Sequence, residues 1–143
     1  ENIARGKSGI TDQDMDHIMD VSNCRKIIER LPRGLDTVLS EGGRSISSGE
    51  RQLISIARAF ARDPEVIMLD EATSYVDSET ERQIEIALNN LMEGRTSIII
   101  AHRLTTAQRA DRVIVLNKGR LIESGTHQDL MKMKGFYYRL NNI

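Results

Sequence analysis

The sequence predicts an α/β fold organised around two buried parallel strands and the helix that joins them. Two continuous apolar runs, Val66-Ile67-Met68-Leu69 and Ile98-Ile99-Ile100-Ala101, suit strands that are buried on both faces. Between the two runs, apolar residues recur at helical spacing, namely Ile84, Ala87, Leu88 and Leu91. A strand–helix–strand crossover is nearly always right-handed and joins parallel strands, so the pattern predicts a parallel sheet.

Residues 1 to about 40 predict a small helical unit. A first helix is expected over Thr11–Asp20, capped by one of its first two residues, and a second over Asn23–Leu31. Pro32 and Gly34 end the second helix, because proline cannot continue a helix and glycine tolerates unusual backbone angles.

A segment rich in glycine and serine, Glu41 to Gln52, leads into the next helix. The apolar stripe of that helix consists of Leu53, Ile56, Ala57 and Phe60. Serine hydroxyls, free backbone N–H groups and the positive end of a helix dipole are together the ingredients of an anion site. Plain serine capping explains the same spacing, and on spacing alone it is the preferred interpretation.

Polar residues follow each of the two predicted strands. Asp70 and Glu71 end the first strand, and His102 follows the second. In open α/β sheets, ligands bind outside the carboxyl ends of the strands. Because parallel strands end at the same edge, we expect Asp70, Glu71 and His102 to converge there. A solvated turn is the alternative for the acid pair taken alone.

The remaining elements complete the α/β pattern. Ser78-Glu79-Thr80-Glu81 predicts a capping box at the start of the crossover helix. Val113–Leu116 and Leu121-Ile122 predict a hairpin that turns at Asn117-Lys118-Gly119. Two closing helices follow, and His127 is expected to cap the first rather than to catalyse.

Composition narrows the class of protein. The chain has 143 residues, 39% hydrophobic and 29% charged, which suits one globular domain with a sizeable core. A net charge of −1 argues against a general nucleic-acid binder, so no nucleic-acid partner is expected. A lone cysteine, Cys24, indicates a reducing environment, and the apolar runs are too short to cross a bilayer. The opening Glu1-Asn2-Ile3 looks like the middle of a longer chain.

These motifs together resemble the nucleotide-binding domain of ABC transporters of the export type. Ile46-Ser47-Ser48-Gly49-Glu50 resembles the family signature, leucine-serine-glycine-glycine-glutamine. Val66 to Glu71 is similar to the Walker B strand with its catalytic glutamate, Ser74 to Asp77 to the D-loop, and His102 to the switch histidine. The motifs occur in the family's order over essentially the whole chain. The resemblance implies the C-terminal part of a P-loop NTPase core of the RecA-like type, with the helical signature subdomain.

The resemblance also implies catalytic roles. Asp70 would hold Mg²⁺ through water, Glu71 would polarise the attacking water, and His102 would sense or hold the γ-phosphate of ATP. The implied cofactors are therefore ATP and Mg²⁺. The implied function is ATP hydrolysis that drives substrate export across a membrane.

A second set of residues is implied to act across a dimer. Ser47, Ser48, Gly49 and Glu50 would contact ATP held by a second nucleotide-binding domain, identical or different, and Asp77 would link the two sites. The transmembrane domains of the transporter are the other implied partner. The expected location is the cytoplasmic face of the membrane.

The chain departs from the family pattern in two ways. The signature has Ile46, Ser48 and Glu50 in place of leucine, glycine and glutamine. The Walker A phosphate loop, the base-stacking aromatic residue and the Q-loop are absent from the sequence, so the chain looks like the C-terminal half to two-thirds of a domain. We therefore expect these 143 residues alone to be inactive as an ATPase and to bind nucleotide weakly at best.

The predicted organisation is a helical subdomain with the signature, residues 1–62, followed by the C-terminal part of the ATPase core, residues 63–143. Two other functions remain open. One is a soluble ATPase of the same superfamily that acts in DNA repair or translation. The other is a degenerate regulatory half-site, which intact Asp70, Glu71 and His102 argue against.

Overall fold

Helices and strands alternate through the middle of the chain, from Ser48 to Asn117, as the α/β prediction requires. The computed structural model describes residues 3–4, 9–39, 46–70, 76–101 and 103–142. The helices in these ranges are α1 Asp12–Val21, α2 Arg25–Arg30, α3 Ser48–Arg62, α4 Ser78–Met92, α5 Leu104–Arg109, α6 His127–Met133 and α7 Phe136–Asn141, with a 3₁₀ turn at Gly34–Asp36. The strands are β1 Val66–Asp70, β2 Thr96–Ile100, β3 Val113–Asn117 and β4 Arg120–Gly125.

The chain divides into two units, and the first comprises residues 1–69 and 73–98. Its core lies where α3 and α4 pack against each other. Leu53 and Ala57 of α3 and Ile84 of α4 are almost completely buried there, and Ile67 of β1 joins the same cluster. The apolar stripes predicted from helical spacing are therefore the ones that the fold buries.

The turn between α1 and α2 is joined to α4 by side-chain hydrogen bonds. Asn23 adopts a positive φ of 56°, and its Nδ2 donates to the Gln83 carbonyl of α4 at 3.0 Å. Asn90 Nδ2 donates to the Val21 carbonyl, also at 3.0 Å. Asparagine tolerates the left-handed region better than most residues, so Asn23 combines a tight turn with an anchor onto α4.

Strands β1 and β2 form a two-stranded sheet. The Thr96 N–H at the start of β2 donates to the carbonyl of Glu65, the residue before β1, at 3.2 Å. Because the starts of the two strands lie together, they run in the same direction, as predicted. The expectation that both strands are buried on both faces is wrong, since Met68 is 76% exposed and Ile100 is 56% exposed. An apolar run does not reveal how many layers cover a strand, and β1 buries only the face that carries Ile67 against the core of the first unit.

The second unit comprises residues 70–72 and 99–143. Strands β3 and β4 form an antiparallel hairpin, which confirms the prediction, with a register shift between Val115 and Leu116. Val113, Val115, Leu130 and Tyr137 form the core of this unit. The Glu123 carboxylate accepts the backbone N–H groups of Phe136 and Tyr137, so a residue of β4 caps α7.

The cap of α6 differs from the one expected. Thr126, not His127, is the N-cap, and its hydroxyl accepts the Asp129 N–H at 3.2 Å. His127 is the first helical residue, and its Nδ1 lies 2.9 Å from the Tyr137 hydroxyl. Threonine is the stronger capping residue of the neighbouring pair because its side-chain oxygen accepts a backbone N–H directly.

The predicted domain division after Arg62 stays a prediction.

Candidate functional site

The start of α3 is the best-defined part of the candidate site. Ser47 is the N-cap, and its Oγ accepts the Glu50 N–H at 3.2 Å. Glu50 completes a capping box, since its Oε2 accepts the Ser47 N–H at 2.8 Å. Ser47 and Ser48 are both exposed. The structure thus bears out serine capping, and the same geometry leaves two exposed serines at the positive end of α3.

Glu50 also has a charged neighbour. Its Oε1 forms an ion pair with Nη2 of Arg30, in the last turn of α2. Burial raises the pKa of the Glu50 carboxyl, but the hydrogen bonds from Ser47 and the Arg30 guanidinium outweigh burial, and the pKa lies below its ordinary value. Glu50 is therefore ionised at neutral pH. Arg30 could not be predicted as a partner of Glu50, because nothing in the local sequence around residue 30 points to α3.

Gly49 is buried against residues of its own chain. A Cβ at this position would overlap Cγ2 of Thr80 and would lie 2.9 Å from Cγ1 of Val76. The start of α3 therefore packs closely on the start of α4. The resemblance assigns Gly49 to close approach of a nucleotide, and the structure adds an intramolecular reason for glycine that the sequence did not reveal.

Asp77 is the N-cap of α4. Its Oδ1 accepts the Thr80 N–H at 3.0 Å, and this backbone hydrogen bond is the main reason why the pKa of Asp77 lies below its ordinary value. The N-cap is therefore Asp77 and not Ser78, so the predicted capping box over Ser78 to Glu81 is wrong. Aspartate and serine are both good caps, so the sequence Asp77-Ser78 offered two registers for the start of one helix.

Of the three residues predicted to converge, only Asp70 lies in the described part of the chain. It is the last residue of β1 and is exposed. Glu71 and His102 lie outside the described residues, so their convergence with Asp70 stays a prediction. Among the residues that the structure describes, no group of three or more histidine, cysteine or acidic side chains could hold a metal. A single exposed carboxylate suits Mg²⁺, which keeps several waters and binds through one or two carboxylates and substrate phosphates.

Comparisons with known proteins agree with these motifs. The model of the family described as "ABC transporter" matches residues 3–74. An "Uncharacterized ABC transporter ATP-binding protein YfiC" of Bacillus subtilis is 53% identical over 137 residues, covering 96% of this chain and 23% of that protein. An "ATP-dependent lipid A-core flippase" of Desulfotalea psychrophila is 46% identical over 142 residues, covering 99% of this chain and 25% of the flippase.

The structure is also similar to that of a bacterial Atm1-family ABC exporter with ATP bound. The TM-score is 0.83 at 38% sequence identity, over 99% of this chain and 25% of the exporter chain. The match confirms the predicted fold, the C-terminal part of a P-loop NTPase core with the helical signature subdomain. The chain spans about a quarter of the length of the relatives that it matches. None of the helices in the described ranges has both the length and the apolar composition of a membrane span.

Proposed function

The chain belongs to the ABC transporter family, and we propose that it forms part of the ATP-binding and hydrolysing motor of an exporter. The observation that carries the proposal is the capped start of α3. There the signature residues Ser47 and Ser48 are exposed at a helix N-terminus, and Gly49 is buried behind them. The similarity to a flippase and to an Atm1-family exporter supports the export direction.

The signature segment would bind the triphosphate of ATP held by a second nucleotide-binding domain. A hydroxyl can donate one hydrogen bond and accept others. Ser47 Oγ accepts the Glu50 N–H, and the Ser47 hydroxyl also bonds the Glu50 carboxylate, so its proton would turn from that carboxylate to a phosphate oxygen when ATP binds. The positive dipole end of the 15-residue helix α3 adds favourable electrostatics for an anion. Ser48 and the backbone at Gly49 extend the same surface.

The hydrolytic residues would come from the ends of β1 and β2. Asp70 would hold Mg²⁺ through water, and the ion, when bound, would neutralise negative charge that develops on the phosphate oxygens. Glu71 would accept a proton from the attacking water, a contribution of about 10²–10⁴-fold for a positioned base. His102 would hydrogen-bond the γ-phosphate and report its presence.

The whole transporter would use two such motors. The partners of this chain would be a second nucleotide-binding domain, identical or different, and transmembrane domains, with the motor on the cytoplasmic face of the membrane. Asp77 would connect the two ATP sites. ATP would hold the dimer together, and hydrolysis would release it, so that the membrane domains alternate between two states.

An ATPase assay on the full-length transporter tests this proposal. We expect Mg²⁺-dependent ATP hydrolysis that Glu71→Gln abolishes while ATP binding persists, because the amide cannot take up the proton. Glu65→Gln, an exposed acid just before β1, is a matched control and should retain activity. Full activity in Glu71→Gln would contradict the assignment.

The 143-residue chain alone is expected to show no turnover, since its sequence contains no Walker A loop. Purified chain can be assayed beside the full-length protein with the same phosphate-release readout. Mg²⁺-dependent hydrolysis by the short chain that disappears in Glu71→Gln would show that this expectation is wrong.

A further inference from the structure

Glu50 places a negative charge where the proposed function requires an anion to bind. Its carboxylate lies in the first turn of α3, and Oε2 accepts the Ser47 N–H at 2.8 Å. The family signature has an uncharged glutamine at this position. A carboxylate beside the phosphates of ATP would repel them and would offset the favourable end of the α3 dipole.

Arg30 meets this charge directly. Its Nη2 pairs with Glu50 Oε1, so one guanidinium and one backbone N–H share the two carboxylate oxygens. The Glu50 side chain is 17% exposed, whereas that of Arg30 is 64% exposed. The carboxylate of the pair is therefore mostly buried, whereas the guanidinium is open to solvent. A phosphate group could reach the exposed side of the guanidinium.

We propose that Arg30 is a positioning residue of the nucleotide site, which neutralises Glu50 so that the start of α3 can accept the phosphates of ATP. The inference rests on the proposed function. A glutamine in the signature needs no such counterion, whereas a glutamate does. Arg30 and Glu50 thus act as a matched pair, 20 residues apart in sequence and joined only in the fold.

A purely structural ion pair that holds α2 against α3 is the competing explanation, and the two predict different double-mutant behaviour. If the pair only holds the helices together, Arg30→Gln, Glu50→Gln and the double variant all lose it and should be equally impaired. If Arg30 compensates charge, Arg30→Gln alone leaves an unpaired carboxylate and is impaired, whereas Glu50→Gln and the double variant carry no excess charge.

The test is the KM for ATP of the full-length transporter, measured for these three variants. We expect Arg30→Gln to raise KM by about tenfold, the effect of one uncompensated charge that solvent largely screens from a nearby phosphate, with kcat changed less than about twofold. The double variant should have a KM well below that of Arg30→Gln and within about twofold of that of Glu50→Gln, because neither of these two variants carries an unpaired carboxylate. Arg30→Lys keeps the positive charge, so its KM should return toward the parental value. Lys26→Gln removes a positive charge from the same helix but not from the pair, so it should have the parental KM.

Each outcome decides the inference. Equal KM increases in Arg30→Gln, Glu50→Gln and the double variant, or a parental KM in Arg30→Gln, would overturn it while leaving the proposed function intact. A parent without Mg²⁺-dependent ATPase activity would overturn the proposed function and this inference together.

Discussion

Gly49→Ala is the most direct probe of the contact between the starts of α3 and α4. The added methyl group would overlap Thr80 Cγ2 and come within 2.9 Å of Val76 Cγ1. Overpacking of this kind costs about 1–3 kcal/mol. Replacing glycine by alanine inside a helix gains at most about 1 kcal/mol. Subtracting the gain from the cost leaves a change between about zero and a loss of about 3 kcal/mol in the free energy of unfolding. We expect a loss of about 1–2 kcal/mol, because the side chains of both Thr80 and Val76 would have to move.

Urea unfolding of the 143-residue chain, without nucleotide, measures this loss. Because no ATP is present, any effect must come from packing within the chain. Thr80→Ser removes the overlapping methyl group and keeps the hydroxyl, so it should restore part of the stability in the Gly49→Ala background. We expect a coupling free energy of about 1 kcal/mol between the two positions, as is typical for residues in contact.

Two results would refute this reasoning. A Gly49→Ala chain more stable than the parent would mean that the helices separate freely and that only helix propensity matters. Strict additivity of Gly49→Ala and Thr80→Ser would mean that the two side chains do not meet. A double variant that is stable in urea but inactive in the full-length ATPase assay would show that Gly49 also lies against the nucleotide.

Three further predictions concern stability. Leu130→Ala empties a fully buried position and should cost about 2–5 kcal/mol in urea unfolding, whereas Met133→Ala, at an exposed position of the same helix, should cost less than about 0.5 kcal/mol. Asn23→Ala should destabilise the chain by about 1–2 kcal/mol, because alanine tolerates the positive φ poorly and cannot bond α4, and Asn23→Gly should recover the backbone part of the loss. Backbone N–H groups hold the pKa of Glu123 below its ordinary value, so its contribution to stability is present above that value and is lost as pH falls through the lowered pKa. The melting temperature of Glu123→Gln, followed by circular dichroism, should therefore fall less between about pH 5 and pH 3 than that of the parent. An Asn23→Ala chain as stable as the parent, or parallel pH profiles for Glu123→Gln and the parent, would contradict these assignments.

The sequence predicted the elements whose pattern is local. The apolar stripe of α3, the crossover helix α4 and the β3–β4 hairpin depend on residues a few positions apart, and each formed as expected. Parallel pairing of β1 and β2 followed from the length of the connection, because a crossover helix leaves little choice of direction.

Contacts between residues distant in sequence could not be predicted in the same way. The pairing of Arg30 with Glu50 and the contact of Gly49 with Thr80 depend on how α2, α3 and α4 pack, and no periodicity encodes that packing. Exposure of Met68 was missed for a related reason. An apolar side chain such as that of Met68 favours burial, but it is buried only where another layer of the fold covers that face of the strand.

Asp77 has a capping role in the structure and a second role in the proposed function, and substitutions can separate the two. It caps α4 through the Thr80 N–H, and the proposed function gives it a second role between two ATP sites. Asparagine caps helices as well as aspartate does, whereas alanine does not cap. Asp77→Ala should therefore lower the melting temperature by about 3 °C, while Asp77→Asn and the control Ser78→Ala should melt with the parent. If the negative charge connects the sites, Asp77→Asn should nevertheless impair the ATPase activity of the full-length transporter. Parental activity in Asp77→Asn together with a loss of stability in Asp77→Ala would leave capping as the sole role of this carboxylate, since only the charge distinguishes the two caps.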